Sequence, residues 1–314
     1  MPQIQLFIAT YNRPTLVLKA IQSALNQNFD SYEIIVSDNS TNYETKKLIK
    51  DIDETRIIYR KREPSLSALD HFNLILSEVS AKYFLIFHDD DQMLPNMLSS
   101  LIINFEKYSN ENIIAVGANA LLSKNNVLSN IRFRKGIKTD IIIESSTELA
   151  NLYLIKKGIV PFASYLYKNE VAKSIIFDIK KGGKYCDVAF LLDVCTLGKV
   201  INLEKPLMVL NQHDNRDVND HIFSEKIKLI HYINKITNLH LRDELIVNFR
   251  LVNLYAELCK SIKSNDIIPW NKRSQRIILL LIKYKNYEYI LKLTVKFIQS
   301  HLNLILNKNK IYSK

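Results

Sequence analysis

The sequence has little glycine, proline and cysteine for its length. Six glycines and seven prolines among 314 residues exclude a collagen-like or low-complexity chain. Three cysteines without a C-x-x-C spacing support neither a disulfide framework nor a common zinc motif. The longest uninterrupted apolar run, Ile277 to Ile282, has six residues and is too short to span a membrane. Residues 1–9 predict a strand rather than a signal peptide, so we expect a cytoplasmic protein.

Positive charge is concentrated in the last third of the chain. Residues 222–314 carry 17 basic and six acidic side chains, whereas residues 1–221 carry 26 of each. The whole net charge of +11 therefore lies beyond residue 221. Because such a shift in composition indicates a change of role, we expect a domain over 1–221 and a basic helical region over 222–314.

The basic helical region has two interpretations that the sequence leaves open. A basic amphipathic helix is typical of an element that lies on an anionic membrane surface or binds a partner. The alternative is a solvated helical bundle that packs on the first domain or forms the contact of a homo-oligomer.

Strand-like and helix-like segments alternate through the first domain. Strands that are separated by crossover helices predict a mostly parallel sheet with helices on both faces. The pattern is less regular between residues 118 and 185, where the segment Lys180 to Gly183 predicts a flexible basic loop. The clearest predicted strands are Ile4 to Ala9, Tyr32 to Val36, Arg56 to Tyr59, Lys82 to Phe87, Ile113 to Val116, Val200 to Leu203 and Leu207 to Leu210.

Three consecutive aspartates follow the strand that ends near Phe87. Asp89, Asp90 and Asp91 would repel one another, so a positive group is expected beside them. Hard divalent ions such as Mg²⁺ and Mn²⁺ take carboxylate oxygens and share the rest of their shell with phosphates. Capping of the following helix would explain one acidic residue but not three. The triplet therefore predicts a metal and phosphate site at the carboxyl end of a strand.

Three further polar features stand at strand ends or before helices. The segment Thr10 to Arg13 suits a base or a phosphate, although an N-cap and a turn explain it equally well. Asp38 follows the second strand, where it either accepts an N–H from a pyrimidine base or forms a turn. Asp187 follows a glycine loop, at the start of a helix that it would also cap.

Together these features resemble the family 2 inverting glycosyltransferases with the GT-A fold. The resemblance spans about residues 3–216 and implies an α/β fold with a Rossmann-like, mostly parallel central sheet and flanking helices. The C-terminal helical region lies outside it. The matching segments are Ile8 to Pro14, Glu33 to Thr41, Phe87 to Asp91, Tyr185 to Val188, Leu197 to Val200, Lys205 to Leu207 and Asn211 to Arg216.

The resemblance implies a role for each matching residue. Asp38 reads the nucleotide base, and Asp187 is the catalytic base. Asp90 is the metal-binding member of a DXD-type motif, with its two neighbours near the ribose and the diphosphate. The implied donor-binding residues are Thr10, Tyr11, Asn12, Arg13, Asp38, Asp89, Asp90 and Asp91. The implied ligands of a Mn²⁺ or Mg²⁺ ion are Asp90, Asp91 and His213.

The chain departs from the family pattern at three places. Cys186 stands where the residue before the catalytic base is usually acidic. His88 stands where many members carry the first acidic residue of the metal motif. The segment Pro64 to Asn73 lacks the glycine that is common before the metal-binding strand.

The implied activity is metal-dependent, inverting sugar transfer. The donor is a nucleoside-diphosphate sugar, with UDP favoured, and the acceptor is a hydroxyl of a glycan or a lipid-linked glycan. The product would belong to a bacterial capsule, lipopolysaccharide or O-antigen. Such an enzyme is expected at the inner face of the cytoplasmic membrane, as a peripheral protein.

Three other functions agree with the sequence less well than sugar transfer. A sugar-1-phosphate nucleotidyltransferase needs a glycine-rich phosphate loop, and the first 30 residues contain no glycine. A nucleic-acid-binding protein fits the basic tail, but no recognised RNA- or DNA-binding motif is present, and the aspartates would repel phosphate unless a metal ion intervened. A non-catalytic nucleotide-sugar binder stays an alternative, although Asp38, Asp90 and Asp187 are all in place.

Overall fold

The computed structural model describes residues 2–52, 54–124, 127–135, 138–155, 159–212, 223–241 and 243–250, and the single residues 253, 279 and 282. The strands are β1 (Ile4–Thr10), β2 (Tyr32–Asp38), β3 (Ile57–Lys61), β4 (Tyr83–His88), β5 (Gln92–Met93), β6 (Ile113–Lys124), β7 (Val127–Arg132), β8 (Ile141–Ile143), β9 (Leu166–Lys168) and β10 (Lys199–Gln212). The α-helices are α1 (Pro14–Leu25), α2 (Glu44–Lys50), α3 (Ala68–Ser77), α4 (Met97–Lys107), α5 (Ser146–Leu154), α6 (Asn169–Ser174), α7 (Ile179–Gly182), α8 (Cys186–Val194) and α9 (Phe223–Ile236).

The strands form one mixed sheet in the order β3-β2-β1-β4-β9-β6-β10-β5, with β7 beside β6 and β8 beside β10. The pairs β3/β2, β2/β1, β1/β4 and β6/β10 are parallel. The remaining pairs, including both pairs made by β9, are antiparallel. The predicted parallel crossover pattern is confirmed for the half of the sheet that contains β1 to β4.

Both faces of the sheet are covered, as the near-continuous apolar strands predict. On β1, Leu6 and Ile8 join an apolar cluster with residues of α1 and α4. Phe7 points to the other face and joins a cluster with residues of α3, α5, α8 and α9. Every one of these three side chains is fully buried.

The helix starts in the first domain follow local sequence chemistry. Pro14 opens α1, where its fixed φ suits the first turn and its missing N–H is not needed. Ser67 caps α3 and accepts a hydrogen bond from the backbone N–H of Asp70. These two residues mark the starts of the helices that follow β1 and β3.

The structure differs from the prediction in the second half of the domain. The two strands predicted at 200–203 and 207–210 are one strand, β10, which pairs with β6 through register shifts on either side of Pro206. Proline cannot donate to the ladder, so the strand bulges there instead of ending. Strand β9 has only three residues, and it gains its place by pairing with β4 on one side and β6 on the other.

The predicted flexible loop at Lys180 to Gly183 is wrong. Residues 179–182 form α7, and a 3₁₀ turn follows over residues 183–185. Gly183 has a φ of 58°, a left-handed conformation that costs glycine little. The side chain of Glu225 accepts a hydrogen bond from the backbone N–H of Lys184, so contact with α9 orders this segment.

Helix α9, the first part of the basic region, packs on the first domain. Leu229, Ile230 and Ile233 are buried in the same apolar cluster as residues of α8. The hydroxyl of Tyr232 donates to the carboxylate of Asp193 on α8. Among the described residues, no helix combines the length and the apolar character needed to cross a membrane.

Candidate active site

The carboxyl ends of four neighbouring parallel strands lie level with one another. Thr10 at the end of β1 is paired with Asp38 of β2, which is paired in turn with Lys61 of β3. On the other side of β1, Ala9 is paired with His88 at the end of β4. The acidic triplet directly follows His88, so the predicted donor residues and the triplet meet at one edge of the sheet.

Asp89 connects the acidic triplet to the loop after β1. Its Oδ2 accepts a hydrogen bond of 2.8 Å from Thr10 Oγ1, and its Oδ1 lies 3.3 Å from Arg13 Nη1. Burial raises the pKa of Asp89, while the bond from Thr10 and the charge of Arg13 oppose that rise. Arg13 also lies 3.6 Å from Oδ2 of Asp90. One guanidinium therefore offsets charge on two of the three carboxylates.

Asn211, near the end of β10, holds the other side of the triplet. Its backbone N–H donates to Asp91 Oδ1 at 3.1 Å, and its Nδ2 donates to the backbone oxygen of Asp90 at 2.6 Å. The Oδ1 atom of Asn211 is buried, and no described residue forms a hydrogen bond with it. Asn211 also lines an open cleft of about 310 Å³ beside the triplet.

Three side chains at this edge offer donor atoms to one point. His88, Asp90 and Asp91 each place one potential ligand atom within 4.8 Å of the other two. The imidazole Nδ1 of His88 is 3.7 Å from Asp91 Oδ2. Carboxylate oxygens suit a hard divalent cation, and the unpartnered oxygen of Asn211 is a further oxygen donor nearby. The residues present therefore fit a divalent ion, whereas His213 lies outside the described residues.

Asp38 is fully buried at the end of β2 and is held by its neighbours. Its Oδ2 accepts a 2.6 Å hydrogen bond from the hydroxyl of Tyr59, and its Oδ1 accepts one from the backbone N–H of Ser40. Lys61 Nζ lies 3.8 Å from the same carboxylate. Burial and the bond to Asp38 raise the pKa of Tyr59, which therefore stays a neutral donor.

A buried polar network supports β2 next to Asp38. Arg62 Nε donates to Ser37 Oγ at 2.9 Å, and Ser37 Oγ lies 2.7 Å from His71 Nε2. Arg62 also makes two bonds to Glu78, of 2.6 and 2.7 Å. Because arginine only donates, the Ser37 hydroxyl can give its own proton to a neutral His71. Burial lowers the pKa of His71 to about 4, with the charge of Arg62 adding to the effect.

The loop after β1 exposes an aromatic side chain and is hydrogen-bonded to the loop after β2. Asn12 has a φ of 53°, and its Oδ1 accepts a hydrogen bond from the backbone N–H of Thr41. The backbone N–H of Asn12 donates to Ser40 Oγ at 2.8 Å. Tyr11 lies between Thr10 and Asn12, which are both held by hydrogen bonds. It is 51% exposed, so its ring is accessible to a flat ligand.

Asp187 lies in the first turn of α8, on the same side of the sheet as His88. Burial raises the pKa of this carboxyl, and a backbone N–H and the charge of His88 partly oppose the rise. Three tyrosines lie close enough that the charge of Asp187 raises their pKa values as well: Tyr153, Tyr167 and Tyr185. The hydroxyl of Tyr167 is buried, and within the described part of the chain it has no hydrogen-bond partner.

Cys186 lies beside Asp187 but has the character of a structural residue. Burial, followed by the charge of Asp187, raises the pKa of its thiol to about 11. A thiol in that state is a poor nucleophile. Cys186 replaces the acidic residue that usually precedes the catalytic base. Of the two neighbouring residues, Asp187 alone therefore carries a carboxylate.

The structure adds residues that the sequence patterns did not assign. Tyr59 and Lys61 reach Asp38 from β3, and Asn211 reaches the triplet from β10. His88 was noted as a departure from the family pattern but was given no role. Each of these four residues stands in or at the end of a strand, within two residues of its end. That position is the feature of the sequence that could have identified them.

The fold and this arrangement define a glycosyltransferase of the GT-A class, and comparisons with known proteins give the family. The family model for glycosyl transferase family 2 matches residues 6–166, about half of the chain. The chain therefore belongs to glycosyl transferase family 2, and the recognition made from its motifs is confirmed.

Relatives of known name agree with the family. A GalNAc(5)-diNAcBac-PP-undecaprenol beta-1,3-glucosyltransferase from Campylobacter jejuni is 33% identical over 147 residues. That match covers 45% of each chain, so it spans less than half of the relative's length.

Solved structures show the same fold at low sequence identity. Staphylococcus aureus TarS 1–349, in complex with UDP-GlcNAc, has a TM-score of 0.63 at 14% identity over 90% of this chain and 80% of its own. A mannosyltransferase from Pyrobaculum calidifontis, in complex with GDP-Man and Mn²⁺, has a TM-score of 0.52 at 13% identity over 95% of this chain and 87% of its own.

The neutral state of buried His71 predicts that acid destabilises the fold. Its pKa is about 4 in the folded protein and about 6.5 in an unfolded chain, so the unfolded state takes up the proton first as the pH falls. Stability is then complete above about pH 6.5 and is lost between there and about pH 4. We expect this one group to lower the free energy of unfolding by about 2 kcal/mol from pH 7.5 to pH 5.0.

Urea unfolding of the wild type and of His71→Gln at both pH values measures this contribution. The pH dependence should be smaller in His71→Gln, and the exposed control His231→Gln should keep the dependence of the wild type. Equal pH dependence in His71→Gln and the wild type would show that His71 is not a buried neutral group.

Proposed function

We propose that this glycosyltransferase moves a sugar from a UDP-sugar to a hydroxyl of a lipid-linked glycan, with inversion at the anomeric carbon. The observation that carries the proposal is that Asp38 and the acidic triplet lie at one edge of the sheet, with Asp187 of α8 close enough to His88 for the charge of His88 to oppose the rise in its pKa. The name of the Campylobacter relative, which specifies an undecaprenol-linked acceptor, and the TarS complex with UDP-GlcNAc support it. Capsule, lipopolysaccharide and O-antigen synthesis are the candidate pathways.

The proposed donor site uses the ends of β1 and β2. The buried carboxylate of Asp38 accepts an N–H of the base, and Tyr59 and Lys61 fix its position. The exposed ring of Tyr11 offers a surface for the base to stack on. Asn12 and Thr10 hold the loop in place, and Arg13 brings positive charge toward the diphosphate.

The proposed metal site uses Asp90 and Asp91, with His213 as a further ligand. A divalent cation, Mn²⁺ or Mg²⁺, supplies Lewis-acid neutralisation of the departing nucleoside diphosphate when it is bound. Asn211 holds Asp91 through a hydrogen bond to its carboxylate, and Asp89 is kept in place by Thr10.

Asp187 is the proposed general base. Its carboxylate takes the proton of the acceptor hydroxyl as that oxygen attacks the anomeric carbon from the face opposite the leaving group. Because burial raises its pKa, this carboxyl is a stronger base than an exposed aspartate. Of the nearby tyrosines, Tyr153 and Tyr185 are partly exposed and would contact the acceptor, whereas Tyr167 is fully buried.

The donor and metal assignments predict metal-dependent binding of one nucleotide sugar. A panel of UDP-, dTDP- and GDP-sugars, measured by calorimetry with and without Mn²⁺, should show tight binding of a UDP-sugar only with metal. Asp90→Ala should weaken that binding by about 10–100-fold, because it removes a ligand of the ion.

Asp30 provides a matched control because it precedes β2, at the end of the sheet opposite the site. Asp30→Ala should bind the donor like the wild type. Failure of the wild type to bind any donor in the presence of metal would contradict the proposed activity and the non-catalytic nucleotide-sugar binder alike, and it would favour the nucleic-acid-binding alternative.

The base assignment predicts a loss of turnover without a loss of donor binding. Asp187→Asn should lower kcat by about 10²–10⁴-fold, the usual contribution of general-base catalysis. UDP affinity should stay within about threefold of the wild type, because the residue faces the acceptor. Turnover close to that of the wild type would refute the assignment, and Asp30→Asn serves as the control.

The domain division remains a proposal, in which residues 1–221 are catalytic and residues 222–314 bind the anionic inner face of the membrane. Residues 271–314 carry ten basic and one acidic side chain. Each cation near such a surface contributes about 1 kcal/mol, so several together hold a protein reversibly. Apart from residues 279 and 282, this segment lies outside the described residues.

Removal of residues 271–314 should release the protein from vesicles that contain anionic lipid. Cosedimentation with anionic and with neutral vesicles measures the effect, and the neutral vesicles should bind neither form. Unchanged binding to anionic vesicles would refute the membrane role. A change in molar mass by light scattering after the same truncation would instead identify the segment as an oligomer contact.

A further inference from the structure

We propose that His88 is a ligand of the bound cation and makes the site select a first-row transition ion such as Mn²⁺ over Mg²⁺. This inference rests on the proposed metal-dependent function and adds a residue to its metal site. It starts from the position of His88, which ends β4 and immediately precedes the acidic triplet. One nitrogen of its ring lies within 4.8 Å of donor atoms of both Asp90 and Asp91.

The distance between His88 and Asp91 suits two ligands of one ion. The 3.7 Å between Nδ1 and Oδ2 exceeds the usual limit of about 3.2 Å for a hydrogen bond between nitrogen and oxygen. Two donors that each lie about 2.1 Å from one ion are separated by about 3–4 Å, depending on the angle between them. The pair therefore has the spacing of neighbouring ligands.

The imidazole ring is held in this position by aromatic neighbours. It stacks on Phe162 at a centroid distance of 6.1 Å and meets the ring of Phe72 edge to face at 6.5 Å. These two rings also contact each other and Phe177. A side chain that is fixed in this way loses little conformational freedom when it binds an ion.

A second, independent observation at the same place indicates a ligand. Asn211 is 95% buried, and its Oδ1 has no hydrogen-bond partner among the residues that the structure describes. The other polar atoms of that residue fix it against the cluster, through Asp91 Oδ1 and the backbone oxygen of Asp90. Buried oxygens are rarely left without a partner, so this one is expected to coordinate the ion or to accept a proton from a water bound to it.

Imidazole in the ligand set changes which ion the site prefers. Mg²⁺ favours oxygen ligands in a near-ideal octahedron and keeps several waters, while nitrogen ligands favour transition ions. A site with one imidazole and two carboxylates thus discriminates against Mg²⁺. Replacement of His88 by aspartate exchanges this imidazole for a carboxylate, so it weakens that discrimination while it keeps an ion site.

Pulsed electron paramagnetic resonance of Mn²⁺ tests the inference on the full chain with UDP. A directly bound imidazole gives a ¹⁴N coupling, and protein labelled with ¹⁵N-histidine should convert it to the ¹⁵N signal. We expect this coupling in the wild type, in His213→Ala and in the exposed control His231→Ala, and its loss when His88→Asp is combined with His213→Ala. Competition titrations should show that the preference for Mn²⁺ over Mg²⁺ falls by at least about tenfold in His88→Asp.

The outcomes separate this inference from the proposed function. If the wild type with UDP binds no Mn²⁺, both are wrong. If Mn²⁺ binds without any nitrogen coupling, the proposed function stands and His88 is not a ligand. If the coupling persists in His88→Asp and disappears in His213→Ala, the imidazole ligand is His213 and the inference about His88 is overturned. The spectrum of the wild type is informative even if a variant folds poorly.

Discussion

Repulsion between carboxylates at one edge of the sheet is the constraint on which the site depends. The parallel register of β1 to β4 places Asp38 and the residues after His88 at the same level, and Asp187 approaches from α8. The fold offsets this negative charge locally, with Lys61 beside Asp38 and Arg13 beside Asp89. A cation fits beside Asp90 and Asp91. The carboxylates that repel one another at this edge of the sheet are therefore the same groups that would bind the proposed ion.

The first half of the fold could be predicted because its signals are local. Pro14 and Ser67 mark helix starts, and apolar runs that end in polar residues mark the parallel strands. The second half depends on partners that are distant in sequence. Strand β9 has three residues and is defined by its pairing with β4 and β6. Pro206 predicts the end of a strand, yet β10 continues past it because it stays paired with β6. No local pattern contains that information.

The candidate site divides in the same way. Aspartates that follow strands could be found from the sequence, because strand ends and ligands coincide in open α/β sheets. Their supports could not, since Tyr59 and Asn211 reach Asp38 and Asp91 only through sheet register. His71 is a similar case, because a histidine in an amphipathic helix gives no sign that it will contact Ser37 in a buried interface.

The packing of α9 shows that a boundary of charge need not be a boundary of folding. The excess of basic residues begins near residue 222, yet Leu229 and Ile233 fill the apolar cluster that also contains Phe190 of α8. The same helix, α8, carries Asp187 in its first turn and contacts Tyr232 of α9 near its end, at Asp193. A polypeptide that stops at residue 221 would thus lack one wall of the helix that bears the proposed base. The packed unit is accordingly longer than the segment that shares the family's motifs, because it includes α9 of the charged region.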